Sequence, residues 1–271
     1  MPTSFADLEL ATVFTRLDGA VAWVVLNRPD SHNAFDEQLT DELELAWTTI
    51  RDDDAVRAVV LTGAGDRNFS GGVDLQARDG DALTDAVRTG ERLLGRAAAA
   101  VEGCPVPVVC ALNGNAFGGA LEIAMAAEFV VAVEHATFFL PETGLGIIPD
   151  AGAIRLPRQL PAVVANEVLY GGRRLDAAEA ERWGLVNRVV PADELSAAAR
   201  DLAGRIAAAA PLAVEAVMAI DRATGHRSLN EAFGHLRSGH LEAYERMLAS
   251  EDALEGPRAF IEQRDPYWQG C

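Results

Sequence analysis

Two glutamates stand directly after segments that could hold a reacting group, and a buried carboxyl there could move protons. Glu122 lies three residues into a predicted helix that begins near Gly119. Glu142 follows an apolar strand and a proline, with Gly and Ile residues around it. Burial raises the pKa of a carboxyl toward the range that suits a general acid. Ordinary alternatives stay open: Glu122 could complement the helix dipole, and Glu142 could be an exposed residue at a strand end.

Two glycine pairs could present backbone N–H groups to a ligand. Gly71-Gly72 occurs in Phe69-Ser-Gly-Gly-Val-Asp-Leu75, just after a buried strand and its turn, and Gly118-Gly119 opens the Glu122 helix. Adjacent glycines let the backbone bend and come close to a ligand with no side chain in the way. A thioester oxygen lying at the positive end of the helix would be polarised by the Gly119 N–H. On its own the Gly71-Gly72 pair is more typical of a plain loop.

The basic residues exclude several classes of chemistry. All 23 of them are arginine, in a chain of 271 residues with a net charge of -18. Without lysine there is no pyridoxal-phosphate Schiff base, no Schiff-base aldolase and no Walker-A grip on phosphate. An anionic ligand must then be held by arginine, backbone N–H groups or helix N-termini. The excess negative charge argues against nucleic acid as a partner.

The same sequence predicts a soluble protein of the cytoplasm. No apolar run reaches the ~18 residues of a membrane span, and the N-terminal segment lacks the pattern of a secretory signal. Cys104, Cys110 and Cys271 have no metal-ligand spacing. We therefore expect no membrane partner, no disulfide framework and no metal site.

The elements that must position these residues alternate between strand and helix. Apolar runs flank Asp18-Gly19, which predicts a β-hairpin. Further elements are predicted as a helix over 36–51, strands at 58–62, 105–112, 129–133 and 137–140, and C-terminal helices near 193–209, 211–224, 228–248 and 251–264. Residues 76–102 are charged and helical in pattern, and the first half of that segment could be a mobile loop. The alternation predicts an α/β protein of repeated ββα units over 1–200, followed by a helical region over 201–271.

Five segments carry a resemblance to a known family when they are taken together and in order. They are Leu26-Asn-Arg-Pro-Asp-Ser-His-Asn-Ala-Phe35, the loop that contains Gly71, the stretch from Asn113 to Glu122, Pro141-Glu142, and Gly171-Gly-Arg-Arg with 177–187. As a set they resemble the enoyl-CoA hydratase/isomerase (crotonase) superfamily. The resemblance implies a crotonase-like spiral with a helical C-terminal region that drives assembly into a homotrimer or a dimer of trimers.

The resemblance also implies catalytic roles. The backbone N–H groups of Gly71 and Gly119 would form the oxyanion hole, with Glu122 and Glu142 as the acid/base pair. Glu122 would hold the water that attacks C3 of a trans-2-enoyl-CoA, and Glu142 would deliver the proton to C2. CoA is part of the substrate in this chemistry, so no separate cofactor is expected.

The CoA-binding positions follow by the same resemblance. Arg28 would lie near the phosphates, the Asn33-Ala34 backbone near the nucleotide, and the carbonyls of Val73, Asp74 and Leu75 near the adenine. Phe260 resembles an aromatic residue that reaches the CoA site of a neighbouring subunit.

The resulting hypothesis is an enoyl-CoA hydratase. The alternatives are a crotonobetainyl-CoA hydratase (carnitinyl-CoA dehydratase), whose branch this chain most resembles, an enoyl-CoA isomerase, and a non-catalytic acyl-CoA-binding protein. Asp150 stands where common hydratases have glycine, and Val73 where the carnitinyl branch tends to have tryptophan. Valine has no aromatic face for a trimethylammonium group. This predicts that a short neutral enoyl-CoA is hydrated at least as efficiently as crotonobetainyl-CoA.

Overall fold

The computed structural model of the protein describes residues 4–74 and 83–271. The chain divides into two compact units, Met1–Ala203 and Gly204–Cys271. The strands all lie in the first unit: β1 Val13–Asp18, β2 Val21–Leu26, β3 Ala58–Gly63, β4 Asn68–Ser70, β5 Val108–Leu112, β6 Asn115–Phe117, β7 Phe129–Val133, β8 Thr137–Phe139, β9 Leu175–Asp176 and β10 Arg188–Val190. Our suggestion of a mobile loop in the first half of 76–102 lies outside the described residues up to position 82, and from Leu83 onward the suggestion was wrong because the chain is helical.

Two sheets form the frame of the first unit. The larger has the order β1-β2-β3-β5-β7-β10 and is parallel except for the β1–β2 hairpin, which turns at Gly19 with a φ of 59°. The smaller has the order β4-β6-β8-β9. The central strands β3 and β5 are apolar and buried along their length, as expected for strands covered on both faces.

The helices complete the repeated units. They are α1 Glu37–Arg51, α2 Leu83–Glu102, α3 Gly119–Ala124, α4 Asp150–Gln159, α5 Ala162–Gly171, α6 Ala177–Trp183, α7 Leu195–Ala207, α8 Pro211–Thr224, α9 Leu229–Leu236, α10 Glu242–Leu248 and α11 Asp252–Glu262. Each of β3, β5 and β7 is followed by one strand of the smaller sheet and then a helix. The predicted ββα spiral is confirmed.

Two buried asparagines tie the loops at the carboxyl ends of the central strands. Asn113, which follows β5, accepts from the Gly63 N–H (3.0 Å) and donates to the carbonyls of Gly65 (3.0 Å) and Asn68 (3.2 Å). Asn33 donates to the Asn68 carbonyl as well (3.2 Å). Because one carbonyl is shared by both amides, the loop after β3 has a fixed path toward the glycines that follow it.

The second unit differs from the sequence prediction at one point. The helix predicted over 228–248 is two helices, α9 and α10, separated by a turn. Gly239 in that turn has a φ of 72°, a left-handed conformation that an α-helix does not contain. The single helix was therefore wrong, and the glycine was the available signal.

Within the described ranges, no single helix is long and apolar enough to cross a membrane, although the segments 192–207 and 211–224 meet that test as a bent pair.

Candidate active site

The turn between β6 and α3 places a free backbone N–H beside a carboxylate. Gly118 has a φ of 54° and donates to the Phe139 carbonyl (3.0 Å). A Cβ on Gly118 would lie 2.5 Å from Glu142 Oε1, so the residue must be glycine for the carboxylate to approach. A Cβ on Gly119 would collide with the side chain of Leu94. As the first residue of α3, Gly119 leaves its N–H without an intrahelical acceptor, and no described residue supplies another.

The loop after β4 supplies a second free N–H, at a different residue from the one predicted. The N–H of Gly71 donates to the His32 carbonyl (2.9 Å), so it cannot also serve an oxyanion. Two residues later, Val73 pairs with Phe35 as a parallel bridge, in which the Gly72 carbonyl and the Asp74 N–H make the bonds. The Val73 N–H has no hydrogen-bond partner among residues 4–74 and 83–271.

The two free N–H groups belong to loops that touch. A Cβ on Gly72, whose φ is 84°, would lie 3.9 Å from the Gly119 nitrogen and 3.2 Å from the Phe117 carbonyl oxygen. This close approach needs a glycine at position 72. We therefore replace the pair Gly71 and Gly119 by Val73 and Gly119 as the candidate oxyanion donors. The physical reason is that a donor must be free of protein acceptors before a ligand can use it.

Glu122 is a buried carboxylate held by the start of the next helix. Its side chain is 8% exposed, and Oε1 accepts from the Gly152 N–H of α4 at 2.7 Å. Burial raises the pKa of Glu122, and the negative charge of Asp150 adds to that rise. Hydrogen bonds from the Gly152 and Ala151 backbone and the charge of Arg155 act in the opposite direction. A carboxylate with these partners does more than complement the dipole of its own helix.

Glu142 has the more strongly altered acidity of the two. It begins the short 3₁₀-helix Glu142–Leu145, and its Oε2 is buried with no hydrogen-bond partner among the described residues. Burial raises the pKa of Glu142 to about 7, and the charge of Glu122 contributes to the rise. The residue's own backbone N–H lowers it in part. At neutral pH this carboxyl can therefore hold or release a proton.

The arrangement combines two donors for a developing negative charge with two carboxyls that exchange protons. A carbonyl oxygen between Gly119 and Val73 would be polarised, and the carbon next to it would become acidic. Of the two carboxyls, Glu142 is suited to carry a proton, whereas the N–H groups that Glu122 accepts favour its anion. These donors and carboxyls are the groups that an enzyme needs to form and protonate an enolate.

Comparisons with known proteins agree with that geometry. A sequence model described as enoyl-CoA hydratase/isomerase matches residues 16–271. The chain belongs to this family. It is 46% identical to a carnitinyl-CoA dehydratase of Proteus mirabilis over 93% of this chain and 96% of that one. It is 43% identical to a carnitinyl-CoA dehydratase of Citrobacter koseri over 95% and 97%.

Solved structures of the family share the fold. An enoyl-CoA hydratase from Bacillus anthracis superposes with a TM-score of 0.90 at 35% identity, covering 96% of this chain and all of that one. The Pseudomonas aeruginosa protein DspI gives 0.88 at 30% identity over 97% and 99%. The predicted family and crotonase fold are confirmed.

Arg28 holds the loops of the site together. Its guanidinium pairs with Asp36 (3.0 Å) and Asp74 (3.1 Å) and donates to the Ala34 carbonyl. Two carboxylates thus match its single charge, and the loop before α1 is fixed to the loop that carries Val73. No local sequence pattern indicated this bracing role, and contact between Arg28 and CoA phosphates stays a prediction.

The segment predicted to meet the nucleotide borders a cleft. Asn33 itself is 1% exposed, and its amide accepts from the Arg28 N–H (2.9 Å) and donates to the Ala64 carbonyl (2.9 Å). The cleft has a volume of about 320 Å³ and is lined by Pro29–Asn33 without Ser31 and by Ala64–Asn68. Asn33 is one of the residues that line this cleft, and contact of the Asn33-Ala34 backbone with the nucleotide stays a prediction.

The remaining predicted contacts lie in three settings. The Asp74 carboxylate pairs with Arg28. Leu75 lies outside the described residues. Phe260, on α11 of the second unit, is 85% exposed, which leaves its ring accessible to another molecule. Its contact with a neighbouring subunit stays a prediction.

Sequence reasoning missed the residues that hold Glu122. Ala151 and Gly152 supply its hydrogen bonds from the first turn of α4, although they lie about thirty positions along the chain. The available signal was Pro149, which precedes α4 as its N-cap and marks the helix start where free N–H groups occur.

Proposed function

We propose that this protein is a carnitinyl-CoA dehydratase, which interconverts carnitinyl-CoA with crotonobetainyl-CoA and water. The observation that carries the reaction type is the meeting of Glu122 and Glu142 at the turn that also exposes the Gly119 N–H. The relatives at 43% and 46% identity support the substrate. They favour this reading over a general enoyl-CoA hydratase.

In the proposed hydration, the thioester oxygen accepts from the N–H groups of Gly119 and Val73. Water held by Glu122 attacks C3 and gives up a proton to that carboxylate, while the C2–C3 π electrons move into the thioester as an enolate. Glu142 then delivers its proton to C2 as the enolate collapses. Dehydration runs the same steps backward, so the pair holds one proton in either direction.

Product identification with two substrates tests the proposal. We expect purified protein to convert crotonobetainyl-CoA to carnitinyl-CoA with a kcat/KM more than ~10-fold above that for crotonyl-CoA, a difference of about 1.4 kcal/mol. Preference for crotonyl-CoA would return the protein to the general hydratases, as the Val73 position predicts. A product with a shifted double bond would make it an isomerase, and no turnover of any enoyl-CoA would make it a binding protein.

We also propose assembly into a homotrimer or a dimer of trimers. Phe260 and Ile261 on α11 are 85% and 80% exposed, and such adjacent apolar side chains favour burial against another molecule. Light scattering at micromolar concentration should give three or six times the monomer mass. A monomer under those conditions would contradict the proposal.

A further inference from the structure

Asp150 occupies a position at the candidate active site that no part of the proposed reaction uses. It is the first residue of α4, and the two residues after it donate the backbone hydrogen bonds that hold Glu122. Its side chain is exposed and has no ion-pair partner within the described ranges 4–74 and 83–271. A carboxylate therefore faces solvent directly before the two residues whose N–H groups donate to Glu122.

The charge of Asp150 acts on the carboxyl of Glu122 inside the candidate site. Burial is the largest cause of the raised pKa of Glu122, and the negative charge of Asp150 adds to the rise, whereas hydrogen bonds from Gly152 and Ala151 lower it. Arg155, one turn further along α4, acts on Glu122 in the opposite sense, but its guanidinium also pairs with Glu102 at 2.7 Å. The carboxyls around Glu122 thus outnumber the positive charge that balances them. A site of this kind attracts a cation.

The position suits the far end of a short acyl group. In the proposed reaction Glu122 holds water at C3, and the ammonium nitrogen of a crotonobetainyl group is only two bonds beyond that carbon. Val73 has no aromatic face to offer this nitrogen. A quaternary ammonium has no N–H to donate. It is therefore recognised through its charge and its van der Waals surface, and an unpaired carboxylate supplies the attracting charge.

We propose that Asp150 is a specificity-determining residue that selects acyl-CoA esters with a positively charged acyl end, an inference that rests on the proposed function. The ordinary role of such a residue is to complement the dipole at the start of α4. A residue with only that role would affect charged and neutral substrates equally. An effect that depends on the charge of the substrate therefore distinguishes the specificity role from the structural role.

The test uses two esters of nearly equal shape and different charge. Crotonobetainyl-CoA is compared with trans-5,5-dimethylhex-2-enoyl-CoA, in which carbon replaces the ammonium nitrogen. We expect D150N to lower the ratio of kcat/KM for the cationic ester to that for the neutral ester by at least ~10-fold. D150E, which keeps the charge, should retain most of the ratio. D54N removes the same charge from an exposed residue before the amino end of β3 and should leave the ratio unchanged.

Binding of unreactive esters separates selection from chemistry. The Kd values of γ-butyrobetainyl-CoA and 5,5-dimethylhexanoyl-CoA for wild type and D150N should show the same loss of selectivity without any proton transfer. Equal losses of affinity for both esters would overturn the inference, because Asp150 would then act through Glu122. An unchanged ratio of the two Kd values would overturn it as well. Failure of the wild type to hydrate either ester would overturn the proposed function and this inference with it.

Discussion

The candidate active site and the C-terminal end of the chain differ in how they surround glutamate carboxylates that are shielded from solvent. Glu142 buries an oxygen to which no described group donates a hydrogen bond, and its pKa rises to about 7. Glu255 on α11 is 8% exposed, pairs through both oxygens with Arg264 at 2.5 and 2.9 Å, and accepts from the Tyr267 N–H. Its pKa falls to about 2, with the hydrogen bonds from Arg264 as the largest cause.

The contrast extends to the backbone. In the second unit, Asp252 accepts from the N–H groups of Gln269 (2.7 Å) and Gly270 (3.0 Å), so donors and acceptors are matched along the chain terminus. At the candidate site, the N–H groups of Gly119 and Val73 are left without described partners. Matched polar groups stabilise a fold, whereas unmatched ones are available to a substrate at a cost in stability.

The strongest test of this contrast is Glu142→Gln. We expect kcat to fall by ~10² to 10⁴ because the proton donor is lost while the shape is kept. Kd for an unreactive acyl-CoA should change little. Glu122→Gln should lose at least ~10² in the same assay, and the exposed Glu134→Gln is the matched control. A folded Glu142→Gln protein with full activity would disprove the catalytic assignment.

The corrected oxyanion pair makes a prediction of its own. Val73→Pro removes the free N–H and should lower kcat by ~10² to 10³. Val73→Ala keeps the N–H and should stay within a few-fold of wild type. Gly71→Ala should also be tolerated, since its Cβ would meet His32 Cβ only at 3.4 Å. Circular dichroism must show that each variant folds, and full activity of folded Val73→Pro would reject the pair.

The pH dependence of the rate follows from the proton shared by Glu122 and Glu142. Because the pair needs one proton in both directions, kcat/KM for hydration and for dehydration should decline together above pH of about 7. The Glu142→Gln variant should lose this decline. A rate that stays level to about pH 9 in wild type would argue against Glu142 as the proton carrier.

The stability of the fold should change with pH in opposite directions for Glu142 and Glu255, with effects smaller than those on the rate. The raised pKa of Glu142 favours the fold while the carboxyl is protonated, so this contribution is lost as pH rises from about 4.5 through about 7. Glu142→Gln should therefore raise Tm more at about pH 8 than at about pH 5.

Glu255 should behave in the reverse manner. Its lowered pKa stabilises the fold above pH of about 4.5, and this is lost as pH falls toward about 2. Glu255→Gln should lower Tm at neutral pH by a few degrees and have a shrinking effect in acid. Equal shifts of Tm by the two substitutions at all pH values would remove the distinction between the regions.

Several parts of the site were predictable from residues near one another in sequence. Gly118-Gly119 before Glu122 indicated a turn that exposes N–H groups at a helix start, and Pro141-Glu142 after an apolar strand indicated a carboxyl at a strand end. The hairpin at Asp18-Gly19 and the buried strands were predictable for the same reason, since local spacing and hydrophobic pattern determine them.

Tertiary structure decided which of these groups are free. The Gly71 N–H is taken by His32 and the Arg28 charge by two aspartates, and both partners come from segments that sequence spacing cannot relate. The raised pKa of Glu142 likewise depends on burial beside Gly118 and on the charge of Glu122. A sequence can show which donors, acceptors and charges a chain possesses. Only the packed chain determines which of them remain without a partner and can therefore act on a substrate.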